Sequence, residues 1–151
     1  MNIRSYFFGI ASLVFIFDQL TKLVVLSVLS FHRSIPVNKG FLYLSLVNNK
    51  GAAFGILAGQ RLALIAFGLF VSALVIYFHF KLPKDKLFLH TSLALILGGS
   101  LGNIFDRVFR VGAVVDFIDF RFWPAFNVAD ISVNAGIAIM ILCILLKKEI
   151  I

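Results

Sequence analysis

Long apolar runs separated by short charged stretches constrain this chain more than any other feature of its sequence. Two of them, Leu62–Phe80 and Leu87–Phe105, contain no Asp, Glu, Lys or Arg. A helix needs about 20 apolar residues to cross the hydrocarbon core of a bilayer. Both segments are therefore predicted to be transmembrane helices.

Two further segments reach spanning length only if polar residues are included. Residues 6–29 are long enough but carry Asp18 and Lys22, and residues 131–146 need extension to 129, which adds Asp130. We therefore expect an all-α membrane protein, a four-transmembrane-helix bundle. It would be a single polytopic membrane domain, 1–151, with spans at about 6–29, 62–80, 87–105 and 129–146.

The composition agrees with a membrane environment. Apolar residues make up 61% of the chain, against roughly 45–50% in soluble domains. The net charge of +7 is spread between apolar runs rather than along a basic helix, so membrane lipids are the expected partner and nucleic acid is not. The single cysteine, Cys143, and three histidines without ligand spacing predict no disulfide, metal or cofactor.

The connections between spans predict the topology. Residues 81–86 form a short basic turn, whereas segments 31–59 and 106–127 are long. Residues 41–47 alternate as in a strand, which predicts a small extracytoplasmic β-containing segment. Basic clusters at the helix ends place both termini and the turn in the cytoplasm, and therefore both long segments on the opposite side.

This topology gathers most aspartates at one level of the membrane. Asp106, Asp116, Asp119 and Asp130 belong at the outer ends of the third and fourth spans, and Asp18 lies in the outer half of the first. A charged residue at membrane depth costs about 2.5–3.5 kcal/mol on insertion scales and usually marks function. The group is therefore a candidate functional site.

Several of these residues also have simple structural interpretations. Asp18 and Lys22 are four positions apart and could form an ion pair on one helix face. Asp106 and Arg107 adjoin at a helix end, where they could pair with each other or support a site. Asp119 could simply be solvated.

Asp116 and Asp130 fit an acid–base pair better. Asp116 lies between Val114-Val115 and Phe117-Ile118, with no adjacent base. Asp130 could be an ordinary N-cap of the last helix. Two carboxyls held close together at low dielectric share one proton, so one can activate water while the other acts as the acid.

Four blocks of residues, in order along the chain, carry a resemblance to a known family. They are Asp18–Lys22, Asn49–Phe54, Gly98–Arg107, and Val115–Phe117 followed by Phe126–Asp130. Along essentially its whole length the sequence resembles bacterial signal peptidase II, the prolipoprotein signal peptidase.

The resemblance implies an intramembrane aspartic endopeptidase of the bacterial cytoplasmic (inner) membrane, with its active site near the extracytoplasmic face. It would remove signal peptides from diacylglyceryl-modified prolipoproteins by cutting before the lipidated cysteine, act as a monomer without a cofactor, and be inhibited by globomycin. Asp116 and Asp130 match the catalytic positions. The implied substrate-binding residues are Asn49, Gly51, Asn103, Arg107 and Asn127, supported by Asp18, Lys22 and Asp106.

Two other classes remain open on the residues alone. A small transporter would also carry intramembrane carboxylates, although transporters usually show internal repeats and broken helices, and no repeat relates the two halves here. A membrane scaffold without enzymatic activity would carry its aspartates as surface charges.

Overall fold

A computed structural model describes residues 2–29, 34–38, 40–52, 56–110 and 112–146, and within these it contains helices and one small sheet. The helices are α1 (Ile3–Val28), α2 (Arg61–Lys81), α3 (Leu87–Phe109) and α4 (Val128–Leu145). The strands are β1 (Ser34–Asn38), β2 (Leu42–Asn49) and β3 (Val114–Asp119).

All four helices are long and apolar enough to cross a membrane, so the predicted four-span architecture is confirmed. The bounds differ most for α3, which continues to Phe109 instead of ending at Phe105. The uncharged run ends at Phe105, immediately before the first charged residue. Asp106 is fully buried and paired with a basic residue four positions later, so its charge does not end the helix.

Helix α3 lies at the centre of the bundle and packs against α1, α2 and α4. Its glycines make this close packing possible. A Cβ on Gly98 would lie 2.6 Å from the backbone oxygen of Ala11 in α1, and a Cβ on Gly99 would lie 2.8 Å from Val133 in α4. Small residues are used in this way where helices pack in lipid.

The turn between α2 and α3 marks one end of the bundle, called the turn end below. The start of α1 is held there by a 2.8 Å hydrogen bond between Tyr6 Oη and Thr91 Oγ1. His79 and His90 flank this turn, are buried and contact each other, with Nδ1 atoms 2.9 Å apart. This contact ties α2 to α3.

The sheet lies at the opposite end, the sheet end, and is antiparallel in the order β1-β2-β3. The strand expected at 41–47 is present as β2, whereas β3 was not predicted from sequence. Val115 and Phe117 of β3 are buried with Leu46 of β2 and with Val25 of α1. This apolar cluster fixes the sheet against the bundle, next to the C-terminal end of α3 and the N-terminal end of α4.

Candidate active site

Asp116 lies in β3 and is 1% exposed. Its Oδ1 accepts a 2.6 Å hydrogen bond from Asn127 Nδ2, and its Oδ2 accepts a 2.9 Å bond from Asn49 Nδ2. Asn49 ends β2, which pairs with β3. Sheet pairing therefore brings Asn49 to a carboxylate that lies 67 positions away in sequence.

Asp130 lies in the first turn of α4, but it is not the N-cap. Asn127 caps this helix and accepts from the N–H of Asp130 at 3.0 Å, while Asp130 Oδ2 accepts from the N–H of Asn127 at 3.2 Å. This reciprocal capping box corrects the N-cap interpretation of Asp130. Its other oxygen, Oδ1, accepts a 2.7 Å hydrogen bond from Asn103 Nδ2 of α3.

Asn127 joins the two carboxylates, because it donates to Asp130 through its backbone and to Asp116 through its side chain. It also donates to Asn103 Oδ1 at 3.2 Å. Asp116 and Asp130, read from sequence as a pair, therefore belong to one network of amides. Asn49, Asn103 and Asn127, predicted to bind substrate, are the donors of that network.

The pKa of Asp116 follows from this environment. Burial raises the pKa of its carboxyl from 3.8 to about 7, and the negative charge of nearby Asp130 acts in the same direction. Hydrogen bonds from Asn49 and Asn127 oppose the rise. A carboxyl with such a pKa can hold a proton near neutral pH, as an acid–base pair requires.

A buried ion cluster lies beside the aspartates. Lys22 Nζ is 2.8 Å from an oxygen of Asp18 and 2.8 Å from an oxygen of Asp106, and all three side chains are fully buried. Arg110 Nη1 completes the cluster at 2.8 Å from Asp106. The expected pair of Asp18 and Lys22 is present, whereas Asp106 pairs with Lys22 and Arg110, not with Arg107.

The cluster contacts the backbone that carries both aspartates. Asp18 Oδ1 accepts from the N–H of Ala129 at 3.0 Å, and Asp106 Oδ2 accepts from the N–H of Val115 at 3.1 Å. These N–H groups belong to the neighbours of Asp130 and Asp116. Lys22 also donates to Asn103 Oδ1 at 3.1 Å. Asp18, Lys22 and Asp106 thus support both aspartates.

Arg107 connects α3 to the first long connection. Its Nη2 donates to the carbonyl oxygen of Gly51 at 2.7 Å, and its Nη1 donates to that of Asn103 at 3.2 Å. Gly51 in turn donates its N–H to Asn49 Oδ1 at 2.9 Å. Residues 53–54, at the end of the second sequence block, lie outside the described residues.

Sequence reasoning missed two contributors and left one aspartate unassigned. Gln19 is buried, and its Nε2 donates to Asp18 and to the carbonyl of Gly102. The available signal for Gln19 was a polar residue beside an aspartate in an apolar run. The signal for Arg110 was its i, i+4 spacing to Asp106, with which it pairs. Asp119 has other partners, since its carboxylate accepts a 2.7 Å hydrogen bond from Ser45 and a 2.8 Å bond from the N–H of Arg121. Burial acts to raise the pKa of Asp119, but these hydrogen bonds outweigh burial and lower it.

The donors around the pair indicate its chemistry. Each of the four carboxylate oxygens of Asp116 and Asp130 accepts from an N–H group. Donors of this kind fix the orientation of carboxylates and favour negative charge. These hydrogen bonds hold both carboxyls in fixed orientations within one network, an arrangement that suits proton transfer.

A family model and individual relatives of this chain agree on one family. The model of the family described as signal peptidase (SPase) II matches residues 10–146. The lipoprotein signal peptidase of Halothermothrix orenii is 40% identical over 138 residues, covering 91% of this chain and 94% of that protein. That of Caldanaerobacter subterraneus is 46% identical over 132 residues, covering 87% and 90%.

Two solved structures, both described as a bacterial membrane enzyme structure by the in meso method, share the fold. The one at 2.3 Å has a TM-score of 0.87 and 34% identity, covering 96% of this chain and 90% of its own. The one at 1.9 Å has a TM-score of 0.81 and 35% identity, covering 93% of each.

Proposed function

Because this chain belongs to the signal peptidase II family, whose members remove signal peptides from prolipoproteins, we propose that Asp116 and Asp130 are its catalytic pair. The chain is a multi-pass bacterial membrane protein and a protease.

One observation carries the catalytic assignment: Asn127 donates hydrogen bonds to both carboxylates. This one residue therefore holds the buried Asp116 and the partly buried Asp130 in a single hydrogen-bond network at the sheet end. The pKa of Asp116, raised to about 7 first by burial and then by the charge of Asp130, supports the same interpretation.

The reaction then needs no covalent enzyme intermediate. The charged carboxylate takes a proton from water as the water oxygen attacks the peptide carbonyl carbon, while the protonated carboxyl donates to the carbonyl oxygen. When the C–N bond breaks, the carboxyl that received the water proton passes it to the leaving amine. The other carboxylate takes back a proton from a hydroxyl of the tetrahedral intermediate as the carbonyl re-forms. The pair again holds one proton at the end of the cycle, and it titrates as a unit.

The neighbouring amides and guanidinium would hold the substrate. A peptide entering the membrane in extended form has unpaired N–H and C=O groups, which need partners at low dielectric. Asn49, Asn103, Asn127 and Arg107 supply donors, and Asn side chains also accept. Gly51, held by Arg107, would let substrate backbone approach closely because it has no side chain.

The substrate is proposed to be a prolipoprotein already modified with diacylglycerol, cut just before the lipidated cysteine. The diacylglyceryl chains would remain among membrane lipids while the peptide bond reaches the aspartates. Globomycin would compete for the same site, and one chain would suffice because both acids come from it.

The orientation follows from the charges at the two ends. The turn end carries Lys81, Lys84 and Lys86 in a short connection together with Arg4. Basic residues in short connections are retained in the cytoplasm. The proposed orientation therefore has cytoplasmic termini and places Asp116, with the whole sheet end, at the extracytoplasmic face.

Cleavage of a diacylglyceryl-modified prolipoprotein by the purified protein in detergent tests the catalytic assignment. Asp116→Asn and Asp130→Asn are each expected to lower the rate by about 10²–10⁴-fold, the range that acid–base catalysis contributes. Asp119→Asn, the same change on the same strand, should cleave at about the wild-type rate and remain sensitive to globomycin. Near-wild-type cleavage by either of the first two variants would refute that residue's role.

Labelling of intact cells with a membrane-impermeant maleimide tests the orientation. In a Cys143→Ala background, Phe122→Cys at the sheet end should be labelled, because Phe122 is 73% exposed. Lys84→Cys at the turn end should be labelled only after the cells are broken open. The reverse pattern would invert the topology.

A further inference from the structure

A groove between α1 and α2, with α3 as its floor, encloses about 840 Å³. Its lining is almost entirely apolar and includes Phe15 of α1, Ile76 of α2 and Leu101 of α3. The hydroxyl of Ser72, which also lines it, donates to the carbonyl of Gly68 in its own helix. The groove therefore suits an apolar occupant.

The groove lies on a different side of α3 from the aspartates. At about 100° per residue, Leu97, Leu101 and Val108 occupy one face of this helix. Asn103 and Arg107, which contact the aspartate network, lie roughly 120° around it by the same geometry. A peptide bound at Asp116 and Asp130 would leave the groove free.

The length of the groove corresponds to one leaflet of a bilayer. Its lining on α3 runs from Leu97 to Phe109, about 18 Å at a rise of 1.5 Å per residue. Half of a hydrocarbon core is about 15 Å. An acyl chain of the leaflet at the sheet end would therefore extend along the groove.

A cationic side chain, that of Arg61, lies at the mouth of the groove. Arg61 Nη2 donates to the carbonyl oxygen of Val108 at 3.0 Å, next to Phe109. Across the described part of the chain, no carboxylate pairs with Arg61. Arg61 is exposed and begins α2, whose first turn holds no acidic residue and whose N-cap makes no side-chain hydrogen bond. The helix dipole and the guanidinium both favour an anion there.

We propose that the groove is a binding site for one membrane phospholipid, with an acyl chain along α3 and the phosphate at Arg61. The apolar lining selects a chain of leaflet length, and the positive mouth selects a headgroup with negative charge. Neutral diacylglycerol, the lipid class attached to the substrate, lacks the phosphate that Arg61 would bind.

Native mass spectrometry of the purified protein tests this site. The wild-type protein in detergent is incubated with palmitoyl-oleoyl-phosphatidylglycerol or with palmitoyl-oleoyl-glycerol, and loosely held lipid is removed by collisional activation. One phosphatidylglycerol per chain is expected to remain, and no diacylglycerol. Arg61→Gln should lower the retained fraction about tenfold, equivalent to about 1.4 kcal/mol, and Ala73→Trp should abolish retention by filling the groove.

Matched variants separate the groove from the general lipid-facing surface. Lys84→Gln removes a cation at the turn end, and Leu142→Trp adds an indole to an exposed position of α4; both should retain lipid as the wild type does. Equal retention by Arg61→Gln, or retention of diacylglycerol as strong as that of phosphatidylglycerol, would overturn phosphate recognition. Equal retention by Ala73→Trp and Leu142→Trp would overturn the groove itself. If Ala73→Trp fails to fold, the Arg61→Gln variant and the comparison of phosphatidylglycerol with diacylglycerol still test the proposed site.

Discussion

Asn127 Nδ2 lies 2.6 Å from Asp116 Oδ1, and the side-chain oxygen of the same asparagine caps the helix that carries the second aspartate. One residue thereby performs a structural task, starting α4, and orients a carboxylate on a separate strand. The two tasks use different atoms, since the cap depends on the side-chain oxygen and the contact with Asp116 depends on the side-chain nitrogen. Substitutions can separate them.

Asn127→Ser is expected to retain the cap and lose the contact with Asp116, because serine is a good N-cap but lacks the amide nitrogen. The value of kcat should fall about 10²-fold, the lower range for removing one oriented donor, with little change in thermal unfolding. Asn127→Ala should lose the cap as well and cost about 1 kcal/mol of stability in addition. Equal stability losses in both variants, or unchanged kcat in Asn127→Ser, would contradict this division.

The raised pKa of Asp116 makes stability depend on pH. The folded state holds a proton on this carboxyl up to about pH 7, whereas the unfolded state releases it near 3.8. The folded state binds more protons between these values, so the free energy of unfolding falls as pH rises from about 4 to about 7. Asp116→Asn removes this dependence, and its stability relative to wild type should grow by up to about 4 kcal/mol over that window, at about 1.36 kcal/mol per pKa unit.

Thermal unfolding of both proteins between pH 4 and pH 8 measures the difference. Asp119→Asn is the matched control, because hydrogen bonds lower the pKa of Asp119 and its charge is unchanged across this window. A constant difference between wild type and Asp116→Asn at all pH values would mean that Asp116 is already charged at pH 4.

The apolar runs predicted the helices. Because successive connections lie on alternating sides of the membrane, they also predicted that most aspartates lie at one depth in the membrane. Runs of this length predict helices because lipid offers no partners for backbone N–H and C=O groups, which a helix pairs internally. The apolar pattern could not predict β3, since Val114–Asp119 gains its structure by pairing with β2, and no local pattern encodes a partner so far away. The capping box of Asn127 and Asp130 was local, and its three-residue spacing was a usable signal.

The buried ion cluster also contains a contact that the sequence alone could not predict. The i, i+4 spacing of Asp18 and Lys22 predicted a pair, and the structure contains it. Sequence alone could not show that Lys22 also pairs with Asp106, because the contact depends on how closely α1 approaches α3. That approach is set by Gly102, where any Cβ would lie 2.5 Å from Asp18 Oδ2.

Gly102→Ala is accordingly expected to displace the Asp18 carboxylate from Lys22 and from the N–H of Ala129. The loss of stability should resemble that of overpacking a tight core, about 1–3 kcal/mol. The rate of cleavage should also fall, because Ala129 adjoins Asp130. Gly9→Ala is the matched control, since nothing lies within 4 Å of a Cβ at that helical position. Thermal unfolding and cleavage assays of both variants measure the effect. Equal stability and equal cleavage in the two variants would contradict the role of Gly102 in packing.

Lys22→Met tests whether charge balance holds the cluster together. Methionine has a similar length but leaves Asp18 and Asp106 buried with only Arg110 as a counter-charge, and removing one partner of a buried pair costs about 3–5 kcal/mol. Adding Asp18→Asn restores the balance, because Asp106 keeps Arg110 at 2.8 Å. The double variant should therefore unfold at a higher temperature than Lys22→Met alone, although it has lost two charges. Lys84→Met at the exposed turn controls for removal of a lysine. A double variant no more stable than the single one would mean that the specific geometry of Lys22, not the neutrality of the cluster, stabilises this part of the bundle.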